Sequence, residues 1–342
     1  MKAIFFEQHG EIDVLKYGDL PDPQPKTGEA LVRVRAVALN HLDIWVRRGW
    51  SGLRLEMPHI TGSDIAGEIV EVNGVANWKA GTRVVVNPGV VTREDEWTRR
   101  GEDSISPGYR IIGEQMRGGL AELVAVPINN LFSLPAEIEY TRAAATLLTG
   151  TTCWRMLFKV GKLKPGETVL VVGSGGGVNS LSIQLARKIG ADVIALAGNN
   201  NKLKKAQELG AGSVINYREC PSWHVEVMKL TKGRGADLVI DNVGAATFEK
   251  SLRAVARGGR IVTVGNTSGY NIQFDNRLIF TKQISLIGST MGSRQDFIDS
   301  TTFIWRENIV PAIDRVAPLS DGINMIQRLQ EGKQFGKIIL TP

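Results

Sequence analysis

At 342 residues the chain is long enough for two domains of ordinary size, each with its own buried core. Its 43% apolar and 22% charged residues exclude the polar, strongly charged profile of disordered chains. The formal charge of +6, from 41 Lys and Arg against 35 Asp and Glu, is spread thinly. No basic block exceeds pairs such as Arg47-Arg48 and Arg99-Arg100, and no clustered stripe with aromatic platforms points to nucleic acid.

Two cysteines, Cys153 and Cys220, build neither a disulfide framework nor a Cys-x-x-Cys metal or redox pair. The apolar run Ala3 to Phe6 is too short for a signal-peptide core, and no stretch approaches about 18 apolar residues. A reduced, cytoplasmic setting without membrane contact is expected.

The first 130 or so residues read as short strands with turn punctuation. In Ala30 to Val37, Val32, Val34 and Ala36 alternate with Arg33 and Arg35, which predicts one apolar and one wet face. Ile65 to Val72, Arg83 to Val86 and Leu120 to Val126 continue the series as a β-rich barrel or sandwich. From Thr168 the pattern changes. Thr168 to Val172, Val193 to Leu196, Ser213 to Ile215, Leu238 to Ile240, Arg260 to Val264 and Ile284 to Ile287 are short apolar runs separated by helical patterns. This alternation predicts an α/β domain with a doubly wound parallel sheet covered on both faces. The helix after the first of these strands carries Val178, Leu181, Leu185 and Ile189 as a stripe facing the sheet. After Met291 the pattern is mixed again and is expected to rejoin the first domain, giving domains of 1–150 with 291–342, and 151–290.

Thr168 to Val172 runs into Gly173-Ser174-Gly175-Gly176-Gly177-Val178-Asn179 and then a helix. Glycines there allow a tight turn and close approach to a pyrophosphate, whose charge sits on the free N–H groups of the helix N-terminus. The spacing departs from G-x-G-x-x-G and reads as G-x-x-G-x-x-N, Gly173 through Gly176 to Asn179. The next strand ends in Ala197-Gly198-Asn199-Asn200-Asn201-Lys202, without a carboxylate to repel a 2′-phosphate and with a lysine to attract it. Asp192 precedes that strand and stands at its wrong end. NADPH is favoured, with NADH as the alternative.

Together, Asn40-His41-Leu42-Asp43, Gly62-Ser63-Asp64-Ile65-Ala66-Gly67-Glu68, the glycine turn, Gly258-Gly259-Arg260-Ile261-Val262 and Phe335-Gly336-Lys337-Ile338-Ile339-Leu340 resemble the medium-chain dehydrogenase/reductase family over the whole chain. The resemblance implies a GroES-like (chaperonin-10-like) catalytic domain with an inserted Rossmann domain, and hydride transfer between a nicotinamide and a carbonyl, alcohol or conjugated acceptor. It carries cofactor contacts onto the glycine turn, Gly198, Asn199, Lys202 and Tyr217, and onto the loops Asn242-Val243-Gly244, Val264-Gly265-Asn266 and Ser289-Thr290. It also implies a homodimer or homotetramer.

The departures from that family's zinc pattern are informative. Its catalytic-zinc positions fall on Asn40, on Ser63 and near Thr149, and its structural-zinc positions on Thr92, Asp95, Thr98 and Ser106, within a lobe from Pro88 to Gly113. None of these is a thiolate or imidazole, so no metal is expected, and the lobe is held by packing and charges such as Arg93, Glu94, Asp95, Arg99 and Glu102, or is mobile. His41 and His59 are expected to be polar loop residues, and Cys153 a small packed helix residue. The family's proton relay expects Ser or Thr where Leu42 stands.

Without a Lewis acid, a conjugated acceptor such as a quinone, enone or enoyl compound is the expected substrate, because it spreads the incoming charge onto an enolate oxygen. Asn40, Asp43 and Gly49 resemble the zinc-free quinone oxidoreductase branch. Asn40 is expected to hold the substrate oxygen or the nicotinamide, with Asp43 orienting its loop; Trp45 and Trp50 either line the acceptor pocket or pack. The alternatives are a metal-independent alcohol or aldehyde dehydrogenase, and a non-catalytic NADPH-binding protein.

Overall fold

The computed structural model describes residues 1–342 as two units, residues 1–151 with 292–342, and residues 152–291. No helix is long and apolar enough to cross a membrane.

The first unit is built on a seven-stranded sheet. Ile313–Pro318, Lys337–Thr341, Glu29–Ala38, Asp64–Asn73, Arg83–Val86 and Leu131–Ser133 lie side by side in that order, and Leu123–Pro127 also pairs with Glu29–Ala38. The long strand Glu29–Ala38 does not keep one apolar face. Val32 and Val34 lie in one core cluster with Val37 and Leu39, whereas Ala36 and Ala38 lie in a second with Ala66, Leu147 and Phe297. The pairing register shifts between Val34 and Ala36, and the extra residue reverses which side chains face which core. Gly67 lies opposite this irregularity: a Cβ there would stand 2.1 Å from the Arg33 carbonyl oxygen, so only glycine fits. The wet face expected across the strand is therefore confined to Arg33 and Arg35, both exposed.

The lobe at 88–113 carries its own two-stranded ribbon, Gly89–Val91 with Tyr109–Ile111. The four positions Thr92, Asp95, Thr98 and Ser106 are closed by hydrogen bonds. Ser106 Oγ donates to Asp95 Oδ2 at 2.6 Å, and the Trp97 and Thr98 amides donate to Asp95 Oδ1 at 2.9 and 3.0 Å. The Asp95 amide donates to Thr98 Oγ1 at 2.9 Å, and Thr92 Oγ1 donates to the Gly108 carbonyl at 2.7 Å. The Arg99–Glu94 pair is exposed and 3.4 Å long, a weak contributor beside this clasp. Tyr109 Oη donates to Gly292 O, and Asp103 accepts the Arg294 amide, which fastens the lobe to the start of the helix Arg294–Arg306.

The second unit is a six-stranded parallel sheet of Thr168–Val172, Asp192–Ala197, Ser213–Asn216, Ala236–Asp241, Val255–Thr263 and Ser285–Gly288. The first three run outward in reverse order and the last three in chain order on the other side, the doubly wound arrangement with its switch point beside Thr168–Val172. Asp192 opens its strand, opposite Thr168. The helix Gly177–Lys188 buries Leu181 and Leu185 as its stripe predicts, but also Asn179, Ser182 and Ile183, while Val178 and Ile189 stay partly exposed. It is covered on a second side: Cys153 Sγ donates to the Val178 carbonyl and accepts from Ser182 Oγ.

The Ser106 and Thr98 hydrogen bonds hold the Asp95 carboxyl below the usual carboxylate range, so the clasp is present at neutral pH and is lost only as strong acid protonates it. Asp95→Ala should make trypsin cut after Arg99 and Arg100 several-fold faster with little change in global unfolding; equal cutting rates would show that the clasp does not hold the lobe.

Candidate active site

Strand register assembles the first group of polar residues. Ile339 pairs with Ala38, and Ala38 pairs with Asp64, so three neighbouring strands bring Lys337, Asn40 and Asp64 to one end of the sheet. All three are buried, Asp64 completely. Lys337 Nζ donates to Asn40 Oδ1 at 2.6 Å and to Asp64 Oδ2 at 2.8 Å. Asn40 Nδ2 donates to Asp64 Oδ2 at 2.9 Å and, at 3.4 Å, to the Ala38 carbonyl, while Asp64 Oδ1 accepts the Leu148 amide at 2.5 Å.

Asn40 also precedes the helix His41–Arg48, and Asp43 sits in its first turn. Asp43 Oδ2 accepts the Asn40 amide at 2.7 Å and its Oδ1 accepts the Gly62 amide at 2.8 Å, tying the loop before the helix to the loop before Asp64. The Asn40 amide has its donors turned onto Asp64 and Ala38 within the protein. Burial pushes the Asp43 carboxyl up to about 6, against the pull of the Asn40 and Gly62 amides and the Lys337 charge. Burial, and then the Lys337 charge, disfavour the protonated form of His41.

These donors do not fit a zinc ion. Asn40 Oδ1 is occupied by an ammonium, Ser63 offers a hydroxyl, and Thr149 Oγ1 donates to the Ala145 carbonyl of the preceding turn. No group of three His, Cys, Asp or Glu side chains in the chain could hold a metal. His59 is buried beside Phe6 and pushed down to about 4 by burial. Trp45 packs on His41, whereas Trp50 is exposed.

The second group lies at the carboxyl ends of the parallel strands, in the second unit. Gly176 caps the twelve-residue helix Gly177–Lys188 without a side-chain hydrogen bond, and the space a Gly176 Cβ would take is open. Uncapped helix-start amides with free space before them fit a phosphate. Ser174 Oγ is buried there without a partner. Asn179 Nδ2 donates to the Val172 and Gly173 carbonyls, its Oδ1 accepts from Asn242 Nδ2, and Asn242 Oδ1 accepts the Val264 amide. One amide chain thus links the glycine turn to two of the loops expected around a nicotinamide.

Asp241 accepts from the Val243 and Gly244 amides, Thr247 Oγ1 and Ser251 Oγ, which fixes the 242–244 loop. Thr263 Oγ1 donates to Gly265 O beside Asn266, and the Ser289 amide donates to Thr263 O; Thr290 is exposed.

At the end of Asp192–Ala197, a Gly198 Cβ would stand 2.5 Å from Tyr217 Oη and 3.2 Å from Arg218 Nε. Lys202 Nζ lies 3.1 Å from the Cβ position of Gly175. Gly198 thus neighbours Tyr217 and Arg218, and Lys202 neighbours Gly175 of the glycine turn. Asn199 acts as the cap of the helix Asn200–Glu208, accepting the Lys202 amide. Glu219 is turned onto the Asn200 and Asn216 amide groups.

Sequence reasoning gave Lys337 and Arg218 no role and read Asp64, with Ser63, only as a cleft-wall residue. Arg218 was findable as the second cation beside Tyr217; Lys337 and Asp64 needed the strand register.

Residues 26–136 match the alcohol dehydrogenase GroES-like domain, and residues 177–306 match the zinc-binding dehydrogenase family. The NAD-dependent alcohol dehydrogenase of Sulfolobus acidocaldarius is 30% identical, with 99% of each chain covered. The crotonyl-CoA carboxylase/reductase of Cereibacter sphaeroides is 31% identical over 93% of this chain and 81% of its own. A crystal structure of an NAD-dependent alcohol dehydrogenase, 39% identical, superposes with a TM-score of 0.95 and full coverage of both chains.

Because the Asp43 carboxyl binds its proton more tightly folded than unfolded, the wild type should lose stability relative to Asp43→Asn as pH rises from about 4 to above 6, by about 3 kcal/mol in all. Denaturant unfolding of both proteins across that range checks it; a pH-independent difference would contradict the burial-raised carboxyl.

Proposed function

Because the chain belongs to the medium-chain dehydrogenase/reductase family, whose members matched here include NAD(P)-linked oxidoreductases, we propose that it reduces a conjugated carbonyl acceptor with NADPH and without zinc. The observation that carries this reading is the buried Lys337 ammonium held between Asn40 Oδ1 and Asp64 Oδ2, among donors unsuited to a metal.

Reduction of an isolated carbonyl, or oxidation of a simple alcohol, needs a strong electrophile at the oxygen. A quinone, enone or enoyl compound disperses the same charge through its own π-system onto an enolate oxygen, for which hydrogen-bond donors and water suffice. The relative named as a crotonyl-CoA carboxylase/reductase supports an enoyl acceptor. When bound, the nicotinamide supplies the hydride. The chain's own residues bind and orient: the amides at Gly176–Val178 hold the pyrophosphate, and the loops at Asn242–Gly244, Val264–Asn266 and Ser289–Thr290 hold the nicotinamide half. Asp43 keeps the Asn40 and Gly62 loops in register, and solvent delivers the final proton.

Tyr217 and Arg218 beside Gly198, and Lys202 beside Gly175 in the glycine turn, support a 2′-phosphate, and hence NADPH over NADH. The relatives named as NAD-dependent alcohol dehydrogenases favour a second reading, a metal-independent alcohol or aldehyde dehydrogenase.

With NADPH, a panel of quinones, enones and enoyl thioesters should be turned over, a chelator should leave the rate unchanged, and the purified protein should carry substoichiometric zinc. Chelator-sensitive oxidation of primary alcohols would overturn the proposal. Lys202→Glu should raise the KM for NADPH by about tenfold or more while leaving that for NADH nearly unchanged; unaltered discrimination would remove Lys202 from the phosphate site.

A further inference from the structure

We propose that Lys337 is a positioning residue of the active site, giving Asn40 and Asp64 from within the chain the cross-link that a bound cation gives its ligands. This deepens the proposed function and rests on it.

Three segments distant in sequence meet at the Lys337 ammonium: its own strand, the loop before the helix His41–Arg48, and the start of Asp64–Asn73. The ammonium also decides which way the Asn40 amide points. Its carbonyl oxygen faces Lys337 and its nitrogen faces Asp64; the flipped amide would set an NH2 group against a cation and an oxygen against a carboxylate. The lock continues through the backbone, because the Asn40 amide N–H is one of the two donors to Asp43, whose other oxygen holds the Gly62 amide. Lys337 thereby fixes both loops that border the site, through Asn40 and not by touching substrate. A divalent ion could claim Asn40 Oδ1 and Asp64 Oδ2 only by expelling a buried ammonium, which strands its charge.

Lys337→Met alone leaves the Asp64 carboxylate buried with its charge uncompensated and is prone to misfolding. The informative variants of the full chain are therefore the double substitution Lys337→Met with Asp64→Asn, which removes both charges, and Lys337→Arg, which keeps a donor able to reach both partners. The readouts are kcat and KM for NADPH with the best acceptor of the panel, and hydrogen exchange at the Asn40 and Gly62 amides.

The double variant should fold, lose kcat by about tenfold or more with its KM for NADPH nearly unchanged, and exchange those two amides faster. Lys337→Arg should retain kcat within a few-fold. Wild-type kcat and wild-type exchange in the double variant would overturn the proposal, as would a Lys337→Arg protein no better than the double variant. If no conjugated acceptor is turned over, the functional reading fails, and the exchange rates alone still decide the role of Lys337.

Discussion

The site depends on a register constraint in the first unit. Pairing of Ile339 with Ala38, and of Ala38 with Asp64, sends a lysine, an amide and a carboxylate to the same end of three adjacent strands. A slip of one residue in either pairing would turn these side chains to the opposite face. Both charges of the Lys337–Asp64 pair are almost fully withdrawn from water. Removing one member of such a pair typically costs about 3–5 kcal/mol, whereas replacing both by apolar groups is often neutral, so the pair specifies geometry more than it adds stability.

The same economy governs the second unit. Asn179 and Asn242 connect the ends of three parallel strands through side-chain amides, and Asp241 gathers two backbone amides and two hydroxyls behind the 242–244 loop. The loops proposed to meet the cofactor are held from behind by satisfied polar groups, and no side chain caps the helix start by Gly176. In the lobe at 88–113, one carboxylate with hydroxyl and amide donors closes a loop across three of the four positions where thiolates would hold a metal.

What the sequence made legible was mostly local. The glycine turn, the strand–helix alternation and the Asn40–Asp43 spacing each encode a short-range pattern, and the structure places them on a strand end, a parallel sheet and a helix start. The register shift between Val34 and Ala36 was hidden, because the alternation of Val32, Val34 and Ala36 is the same with or without an extra residue in the pairing. Lys337 was hidden more deeply: its partner Asn40 is 297 residues away, and only strand pairing brings them together. The helix stripe was half legible, since a period of 3.6 predicts one buried face but not a second cover on the Val178 and Ser182 side.

Zinc-edge anomalous scattering from crystals soaked in zinc tests the internal cation most directly. The account predicts Lys337 Nζ in density between Asn40 Oδ1 and Asp64 Oδ2, with no anomalous peak beside them. An anomalous peak on Asn40 or Asp64, with the lysine swung away, would contradict it.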